Sequence, residues 1–300
     1  MSESKALQET YRHAYLVLAH TDSAQLKCLL AAIDDSRNDI YIHLDSKWDD
    51  ISTIELKNVV KKSSIFFVKR IHTAWGGSNL IRAELNLISR AYSSGKYSFY
   101  HLLSGQDMPV KSQNYIHNFF IKHPNECFLQ SVDWKINERF RLRFEQYHFL
   151  QDILIGKKRN IWKYLEFLFC YLQKIIGVQR FKGIKIIAAW QWFSLPESVI
   201  SYLAENAELI QRRWRFTYCC DELFIPTELN RAGYTKLFSS LGGLRFIEWQ
   251  WQGRHDLSPR YLNSEDAWII DDPNILFARK FKERESKEVL KRIKSNSHFA

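Results

Sequence analysis

The stretch HAYLVLAHTDSAQLKCLLAAIDD, residues 13–35, predicts a buried strand that leads directly into a helix. Residues 13–19 form a nearly continuous apolar run, which is typical of a strand covered on both faces. Apolar residues then recur at helical spacing, and Ser23 or Asp22 can cap the helix. A strand that passes straight into a helix is the repeating unit of a parallel α/β sheet.

The same rhythm continues along the first third of the chain. Further strands are predicted at DIYIHLD (39–45), SIFFVKR (64–70) and SFYHLLSG (98–105), with a helix at SNLIRAELNLISRAY (78–92) that Ser78 can cap. Sheets of this kind bind ligands beyond the carboxyl ends of their strands. The polar residues expected at those ends are His20, Asp45, His72 and Asp107.

After residue 125 the pattern loosens, but no linker divides the chain. Residues 134–185 are rich in Arg, Lys and aromatic residues, and 160–180 predict an amphipathic helix. Strand patterns return at 184–196 and 244–252, with helical patterns between them. We predict one α/β domain over residues 1–300 with a mostly parallel central sheet flanked by helices. A charged, solvated helical tail is predicted over 282–300.

The net charge is +10, from 43 Lys and Arg against 33 Asp and Glu. This excess favours an anionic partner, namely nucleic acid, acidic lipid or a phosphorylated small molecule, although a soluble protein can also be basic without one. The N-terminus lacks a signal-peptide pattern. The most apolar stretch, 161–177, carries Lys163, Glu166 and Lys174 and is a poor transmembrane candidate. We expect a cytoplasmic protein.

The motif TYCCDELF, residues 217–224, sets two cysteines beside two carboxylates. The chain has five cysteines at irregular spacing and no C-x-x-C, so we predict reduced and mostly buried thiols. Cys219 and Cys220 cannot comfortably share one tetrahedral metal, and packing is the preferred interpretation. The carboxylates leave two alternatives: Asp221 or Glu222 caps the following helix, or one of them is a general base.

Phosphate-binding motifs are missing from the sequence. It contains neither G-x-x-x-x-G-K-[ST] nor G-x-G-x-x-G, and no Asp-x-Asp that could hold a metal for a sugar diphosphate. In LFARKF (276–281), Arg279 and Lys280 stand between phenylalanines and could neutralise a diphosphate instead.

Two aromatic pairs sit at strand spacing. WQW (249–251) puts two tryptophans on one face of a strand, where they stack on a sugar or base or simply pack in the core. The stretch AWQWFS (189–194) repeats the spacing with Trp190 and Trp192.

Together these segments resemble the core-2/I-branching β-1,6-N-acetylglucosaminyltransferase family, glycosyltransferase family 14, which includes the peptide O-xylosyltransferases. The resemblance spans residues 13–281 and is closest to compact bacterial members, which lack the membrane anchor and stem of the Golgi enzymes. The matching segments, in the order of the family, are HAYLVLAHTD, DIYIHLDSK, WGGSNLIRAELNLI, FYHLLSGQDMPVKS, WQWFSL, CCDELF, EWQW and LFARKF.

The resemblance implies a GT-A-like fold with a nucleotide-binding half (13–125) and an acceptor and catalytic half (126–281). It also implies an inverting transfer from a UDP-sugar, expected to be UDP-N-acetylglucosamine, without a divalent metal or other cofactor. Glu222 matches the catalytic carboxylate of the family, which makes the preceding cysteines its frame. Lys280 matches a residue that neutralises the leaving diphosphate. A second basic residue is expected some twenty positions earlier, where Arg260 fits best and Arg254 is the alternate.

The remaining site residues are carried over from the same resemblance. Its donor-binding positions are Leu18, Ala19, His20, Asp45, Ser46, Lys47, His72 and Asp107. At His72 the branching enzymes carry an aromatic residue, and Asp107 is placed either near the donor sugar or as the anchor of its turn. Trp249 and Trp251 match acceptor-side aromatics, and the segment NERFRLRF with Arg143 lies in the acceptor-facing region.

The expected partners are a UDP-sugar and a glycan or lipid-linked oligosaccharide acceptor in surface polysaccharide synthesis, with no nucleic acid. The basic, aromatic segment 157–182 further suggests contact with the inner face of an anionic membrane. The alternatives are a xylosyltransferase that uses UDP-xylose, and a non-catalytic protein that binds glycan or nucleic acid.

Overall fold

The structure, a computed structural model, describes residues 11–133, 138–156, 160–251 and 257–295. Its strands, in chain order, are β1 (His13–Ala19), β2 (Asn38–Leu44), β3 (Ser64–Phe67), β4 (Phe99–Ser104), β5 (Asp107–Pro109), β6 (Phe128–Ser131), β7 (Ala189–Pro196), β8 (Arg245–Ile247), β9 (Trp249–Trp251), β10 (Leu257–Pro259) and β11 (Phe277–Arg279). Its α-helices are α1 (Ser23–Ile33), α2 (Thr53–Val59), α3 (Asn79–Ser94), α4 (Gln113–Lys122), α5 (Glu138–Glu145), α6 (Ile161–Ile175), α7 (Glu197–Glu205), α8 (Ala207–Trp214), α9 (Phe224–Arg231) and α10 (Lys287–Ser295).

The central sheet has six strands in the order β3-β2-β1-β4-β7-β6. The first four strands of this order are parallel to one another, and β7 is antiparallel to both β4 and β6. A second sheet, β5-β11-β8, and the hairpin β9–β10 lie outside it. The predicted α/β class with a mostly parallel central sheet is therefore confirmed.

Both faces of the sheet are buried, which explains why β1 is apolar throughout. Alternate residues of β1 belong to two separate hydrophobic clusters: Leu16 packs in the cluster that includes α3, and Val17 in the cluster that includes α1. The charged tail was predicted to be a solvated helix. It does form helix α10, but Val289 and Ile293 are buried in the second cluster.

One of the two caps predicted for the first helix is confirmed, and two other predicted elements are divided. Asp22 accepts a hydrogen bond from Gln25 N (3.1 Å) and caps α1. The helix expected after residue 196 divides at Asn206, which ends α7 and begins α8. The strand expected at 244–252 divides at Glu248, because β8 pairs with β11 while β9 pairs with β10.

The predicted cap Ser78 has another role. Its hydroxyl donates to Asp152 Oδ2 (2.7 Å) and accepts from Phe216 N (3.0 Å). Asp152 Oδ1 accepts from Asn79 N (2.9 Å), so a distant carboxylate replaces the local cap of α3. This contact fixes the glycine-containing loop before α3 against the second half of the chain.

The buried His43, on β2, makes stability depend on pH. Ile71 N donates to His43 Nε2 (3.0 Å), so the folded state requires the neutral ring at that nitrogen. Burial lowers the pKa of His43 to about 4. The Asp45 charge opposes this shift, and the Arg70 charge adds to it. Because the pKa of His43 is lowered on folding, the contribution of His43 to stability is complete above the unfolded pKa of 6.5. This contribution is lost as the pH falls toward 4.

We expect the variant His43→Gln, which keeps an acceptor but cannot be protonated, to flatten this dependence. As the pH falls from neutrality toward the lowered pKa, the wild type should lose stability relative to the variant by about 1–3 kcal/mol. Denaturant unfolding of both proteins across this range measures the difference. Parallel pH profiles of the two proteins would contradict the prediction.

Candidate active site

The carboxylate of Asp45 organises the end of β2. Asp45 N donates to Ala19 O (2.9 Å), which joins the ends of β2 and β1. Its side chain accepts from Lys47 N (2.9 Å) and from Thr73 N (3.1 Å). Burial alone would raise the pKa of Asp45, but these hydrogen bonds and the Lys47 charge hold it below its usual range. Asp45 is therefore a fixed anion at the strand ends.

The other predicted donor residues of this region line the same edge. Leu18 O accepts from Gly105 N (2.8 Å), and Ile71 O accepts from Ser46 N (3.2 Å). His72, between Ile71 and Thr73, is exposed. The structure thus brings Leu18, Ala19, Asp45, Ser46 and Lys47 together, and His72 lies beside them.

Positive charge collects around His20, which follows β1. Burial lowers the pKa of His20, and the charges of Arg279, Lys47 and Lys280 lower it further, against an opposing effect of Asp45. Three cations from distant parts of the sequence thus act on one strand end. Such a cluster is suited to a diphosphate, because charge-assisted hydrogen bonds to phosphate are among the strongest in proteins.

Arg279 is held in place by a carboxylate and a tryptophan. Its Nη1 lies 3.3 Å from Asp107 Oδ1, and its guanidinium carbon lies 4.0 Å from the centroid of the Trp192 ring. Both Asp107 Oδ1 and Arg279 Nη1 are buried without a hydrogen-bond partner among the described residues. Asp107 Oδ2 accepts from Ser104 N (2.9 Å), so Asp107 anchors its turn as well as facing Arg279.

The two predicted diphosphate residues have different environments. Lys280 Nζ lies 4.4 Å from the ring centroid of Tyr261, and its backbone oxygen accepts from Leu262 N (2.9 Å). Arg260 instead forms a bidentate ion pair with Asp266 (2.6 and 2.8 Å). Arg260 is next to Tyr261 in the chain but is committed to a carboxylate. The alternate, Arg254, lies outside the described residues.

Glu222 stands at the end of a short 3₁₀ turn, Cys220–Glu222, just before α9. Its Oε2 lies 3.8 Å from Arg143 Nη1, and about a quarter of its side chain is exposed (26%). Burial raises the pKa of Glu222, the neighbouring Asp221 charge raises it further, and Arg143 opposes both. A partly exposed carboxylate with a raised pKa is suited to general-base chemistry near neutral pH.

Helix capping does not account for this carboxylate pair. The residue before α9 is Leu223, and no side chain in the described part of the chain makes a capping bond there. A second buried carboxyl, Glu84 on α3, accepts from Gln191 Nε2 (2.6 Å). Burial raises its pKa, and the charge of Asp221 raises it further despite the Gln191 bond. The negative charge of Asp221 thus raises the pKa of both Glu84 and Glu222.

The adjacent cysteines pack around the turn. Cys219 and Cys220 are buried free thiols, and burial raises the pKa of each. Cys219 N donates to Gly76 O (2.8 Å), which ties the turn to the loop before α3. The predicted packing role of the cysteines is confirmed.

Gly76 makes a close approach that a larger residue would prevent. Its φ is +71°, and an added Cβ would lie 2.7 Å from Tyr218 Cε2. We expect Gly76→Ala to lower the free energy of unfolding by about 2–4 kcal/mol, because backbone strain and a clash combine. Denaturant unfolding measures the loss. The control Gly233→Ala has a similar φ of +80° but open space around the added carbon. An equal loss in both variants would contradict the close approach.

Aromatic side chains line the area around Glu222. The rings of Trp75 and Tyr218 are 6.0 Å apart, and the Arg143 guanidinium lies 5.8 Å from the Tyr218 ring. On the hairpin β9–β10, Trp249 is 37% exposed with its ring 6.2 Å from that of Trp190, and Trp251 is 66% exposed. Exposed tryptophans of this kind can stack on sugar rings.

Among the described residues, no group of three or more His, Cys, Asp and Glu side chains is arranged to hold a metal ion.

A family model for the Core-2/I-Branching enzyme matches residues 13–267, and the chain belongs to this family of glycosyltransferases. The match ends before Arg279 and Lys280.

Two curated relatives and one solved structure illustrate the similarity. Xylosyltransferase of Ciona intestinalis is 23% identical over 94% of this chain and 34% of its own length. Beta-glucuronosyltransferase GlcAT14B of Arabidopsis thaliana is 23% identical over 96% of this chain and 66% of its own. The chain thus spans about a third of the xylosyltransferase. Mouse xyloside xylosyltransferase 1 aligns over 88% of this chain and 96% of its own with 9% identity and a TM-score of 0.37, too low to carry an argument.

Several neighbours of the site were not predicted from the sequence. The sequence pattern assigns no separate role to Tyr218, Glu84 or Gln191. The signal for Arg260 was available, because Asn263 and Asp266 form a capping box that begins a 3₁₀ helix at Ser264. Such a box predicts that Asp266 is engaged locally, where Arg260 can reach it.

Proposed function

We propose that this protein is an inverting glycosyltransferase that moves a sugar from a UDP-sugar to a glycan hydroxyl without a divalent metal. The observation that carries the proposal is the position of the basic segment LFARKF at the strand ends, where Phe281 N donates to Gln106 O (2.8 Å) and Arg279 Nη1 lies 3.3 Å from Asp107 Oδ1 in the turn after β4. Membership of a glycosyltransferase family supports the reaction class.

On the leaving-group side, the cations stabilise the charge that develops on the diphosphate. The bond from the anomeric carbon to the diphosphate oxygen breaks, and UDP departs with the electron pair. The Arg279 side chain is only 16% exposed, which strengthens its electrostatic effect on a phosphate bound nearby, while Asp107 neutralises part of its charge. Lys280 and Lys47 supply flexible ammonium groups beside it.

On the opposite side, Glu222 acts as the base. The acceptor oxygen forms a bond to the anomeric carbon, and its proton passes to the carboxylate of Glu222. The raised pKa makes Glu222 a better proton acceptor than an ordinary surface carboxylate. Arg143, Trp249 and Trp251 belong to the acceptor side in this proposal.

The proposed donor is UDP-N-acetylglucosamine. UDP-xylose is the second candidate, because the relatives include proteins named xylosyltransferase. The proposed acceptor is a growing surface polysaccharide or a lipid-linked oligosaccharide. The enzyme would then work in the cytoplasm with peripheral contact to the inner face of the membrane.

Ligand-induced thermal stabilisation tests donor and metal together. We expect UDP to raise the melting temperature in EDTA, since a ligand that binds only the folded state stabilises it by mass action. UDP-N-acetylglucosamine, UDP-xylose and UDP-glucuronate are compared at equal concentration, and the best stabiliser identifies the donor. Stabilisation by UDP only with added Mn²⁺ would overturn the proposed role of the cations. Stabilisation by generic RNA in place of UDP would favour a binding protein.

A further inference from the structure

Helix α6 (Ile161–Ile175) turns polar side chains toward the core and apolar side chains toward the outside. Its buried residues are Glu166, Cys170 and Gln173, all of which carry polar or ionisable groups. Its outward residues are large and apolar: Tyr164 is 75% exposed, Phe167 59% and Tyr171 63%. A helix on the surface of a soluble domain normally has the opposite arrangement, with its apolar stripe toward the core.

Polar contacts fix this orientation, so the helix cannot simply roll over. Leu150 N donates to Glu166 Oε2 (3.2 Å), and Glu166 Oε1 lies 3.5 Å from His148 Nδ1. Gln173 accepts from Tyr147 N (2.8 Å) and donates to Tyr147 O (2.9 Å). Rolling the apolar stripe inward would break these bonds and expose Tyr147 backbone groups that the helix now satisfies.

The apolar surface extends beyond α6. Ile153 on the preceding turn is 78% exposed, and Ile176 after the helix is 76% exposed. We define the outer surface as the exposed apolar residues of 153–154 and 161–176. Contiguous apolar patches of this kind on a folded domain mark sites of interaction with a protein or a membrane.

The exposed charges of the segment that carries the outer surface have one sign. The exposed charged residues in the described part of 147–185 are Lys174, Lys182 and Lys185, while the two acids, Asp152 and Glu166, are buried. Lys163 on α6 and Arg180 are half-buried and also basic. An apolar helix bordered by lysines complements an anionic lipid surface, where acyl chains receive the apolar groups and head groups receive the cations.

We propose that the outer surface binds in the plane of an anionic lipid bilayer. This inference rests on the proposed function, because it gives that enzyme a way to reach a lipid-linked acceptor. The 15 residues of α6 are too few to span a bilayer, and the described part of the chain contains no other helix that could do so. A second copy of the chain is a poorer occupant, since two outer surfaces would bring like charges together.

The chain just before the outer surface contacts the aromatic area on the acceptor side of the candidate site. Gln151 Nε2 donates to Trp75 O (2.7 Å), and the His148 ring lies 5.5 Å from the Tyr218 ring. Both Trp75 and Tyr218 lie in the aromatic area that adjoins Arg143 and Glu222. A bilayer bound at α6 would therefore be close to where the acceptor hydroxyl must enter.

Vesicle flotation tests the inference with the full chain. Vesicles of phosphatidylcholine alone are compared with vesicles that also contain phosphatidylglycerol, at low and high salt. We expect the wild type to float with the anionic vesicles and less so at high salt. The triple variant Tyr164→Gln, Phe167→Gln and Tyr171→Gln should bind about tenfold more weakly, because it removes apolar area at the interface. The control variant Ile54→Gln and Leu209→Gln changes exposed apolar residues elsewhere and should float normally.

Two results would overturn the inference. One is the absence of flotation with anionic vesicles, or equal flotation of the triple variant and the wild type. The other is concentration-dependent self-association in sedimentation velocity that the triple variant abolishes, since a second copy would then cover the surface. Thermal stabilisation by UDP, measured on the same samples, separates the two proposals. Stabilisation without flotation removes the membrane surface alone, and flotation without stabilisation removes the enzyme proposal alone.

Discussion

Replacing Glu222 with glutamine should lower the rate of sugar transfer by about 10²–10⁴-fold, because the acceptor proton loses its base. The substitution keeps the shape of the side chain, which is partly exposed beside Arg143. UDP binding should be unchanged, since the proposed diphosphate residues lie on other elements. Steady-state kinetics with UDP release as the readout measures the rate, and thermal stabilisation by UDP measures the binding.

The pH profile distinguishes a base from a residue with a structural role. Burial and the Asp221 charge raise the pKa of Glu222, while Arg143 lowers it. Activity should fall as the pH drops through this raised value, because protonated Glu222 cannot accept a proton. Arg143→Met should move the acidic limb to higher pH, and Asp221→Asn should move it to lower pH. A limb that neither variant moves would argue against Glu222 as the titrating base.

Replacing Lys280 with methionine should lower the rate by about 10²–10³-fold, because one cation that stabilises the leaving diphosphate is lost. Methionine keeps an extended apolar chain over Tyr261, whose ring centroid lies 4.4 Å from Nζ. The loss should be largest in the rate of the chemical step, since the diphosphate charge grows as the sugar bond breaks. Single-turnover measurements with saturating donor isolate that step.

The chain provides a matched control two residues along. Lys282 Nζ lies 5.4 Å from the same Tyr261 ring but is paired with Glu285 (2.6 Å) and exposed. Lys282→Met should leave the rate near that of the wild type. Similar losses in the two variants would mean that packing on Tyr261, and not charge at the leaving group, explains the effect.

The sequence predicts the fold well where a single physical constraint acts. A strand buried on both faces must be apolar along most of its length, and β1, β2 and β4 follow this rule closely enough to be located, while β3, at the edge of the sheet, is only partly buried. The carboxyl ends of parallel strands meet at one edge, so Asp45 and His20 could be placed together without knowing any contact. The sequence predicts for Asp107 either a place near the donor sugar or the anchoring of its turn. Its hydrogen bond from Ser104 N shows that it anchors the turn.

The features that the sequence does not predict depend on contacts between residues that the local pattern does not connect. Nothing in the local pattern around Arg143 indicates that it faces Glu222, because that contact depends on how a loop-rich segment folds back. Arg260 and Lys280 look alike as isolated basic residues, yet Asp266 engages only Arg260. The periodicity of α6 predicts a helix but cannot say that the polar stripe faces inward, since that orientation depends on His148 and Tyr147.

The most direct test of the central claim is release of UDP from UDP-N-acetylglucosamine by the purified wild type in EDTA. Water can serve as a slow acceptor, so the natural acceptor need not be known. The account predicts release that persists in EDTA and falls to background in Glu222→Gln. Release that requires Mn²⁺ would contradict the cation mechanism. No release from any UDP-sugar, together with no stabilisation by UDP, would contradict the assignment as a UDP-sugar glycosyltransferase.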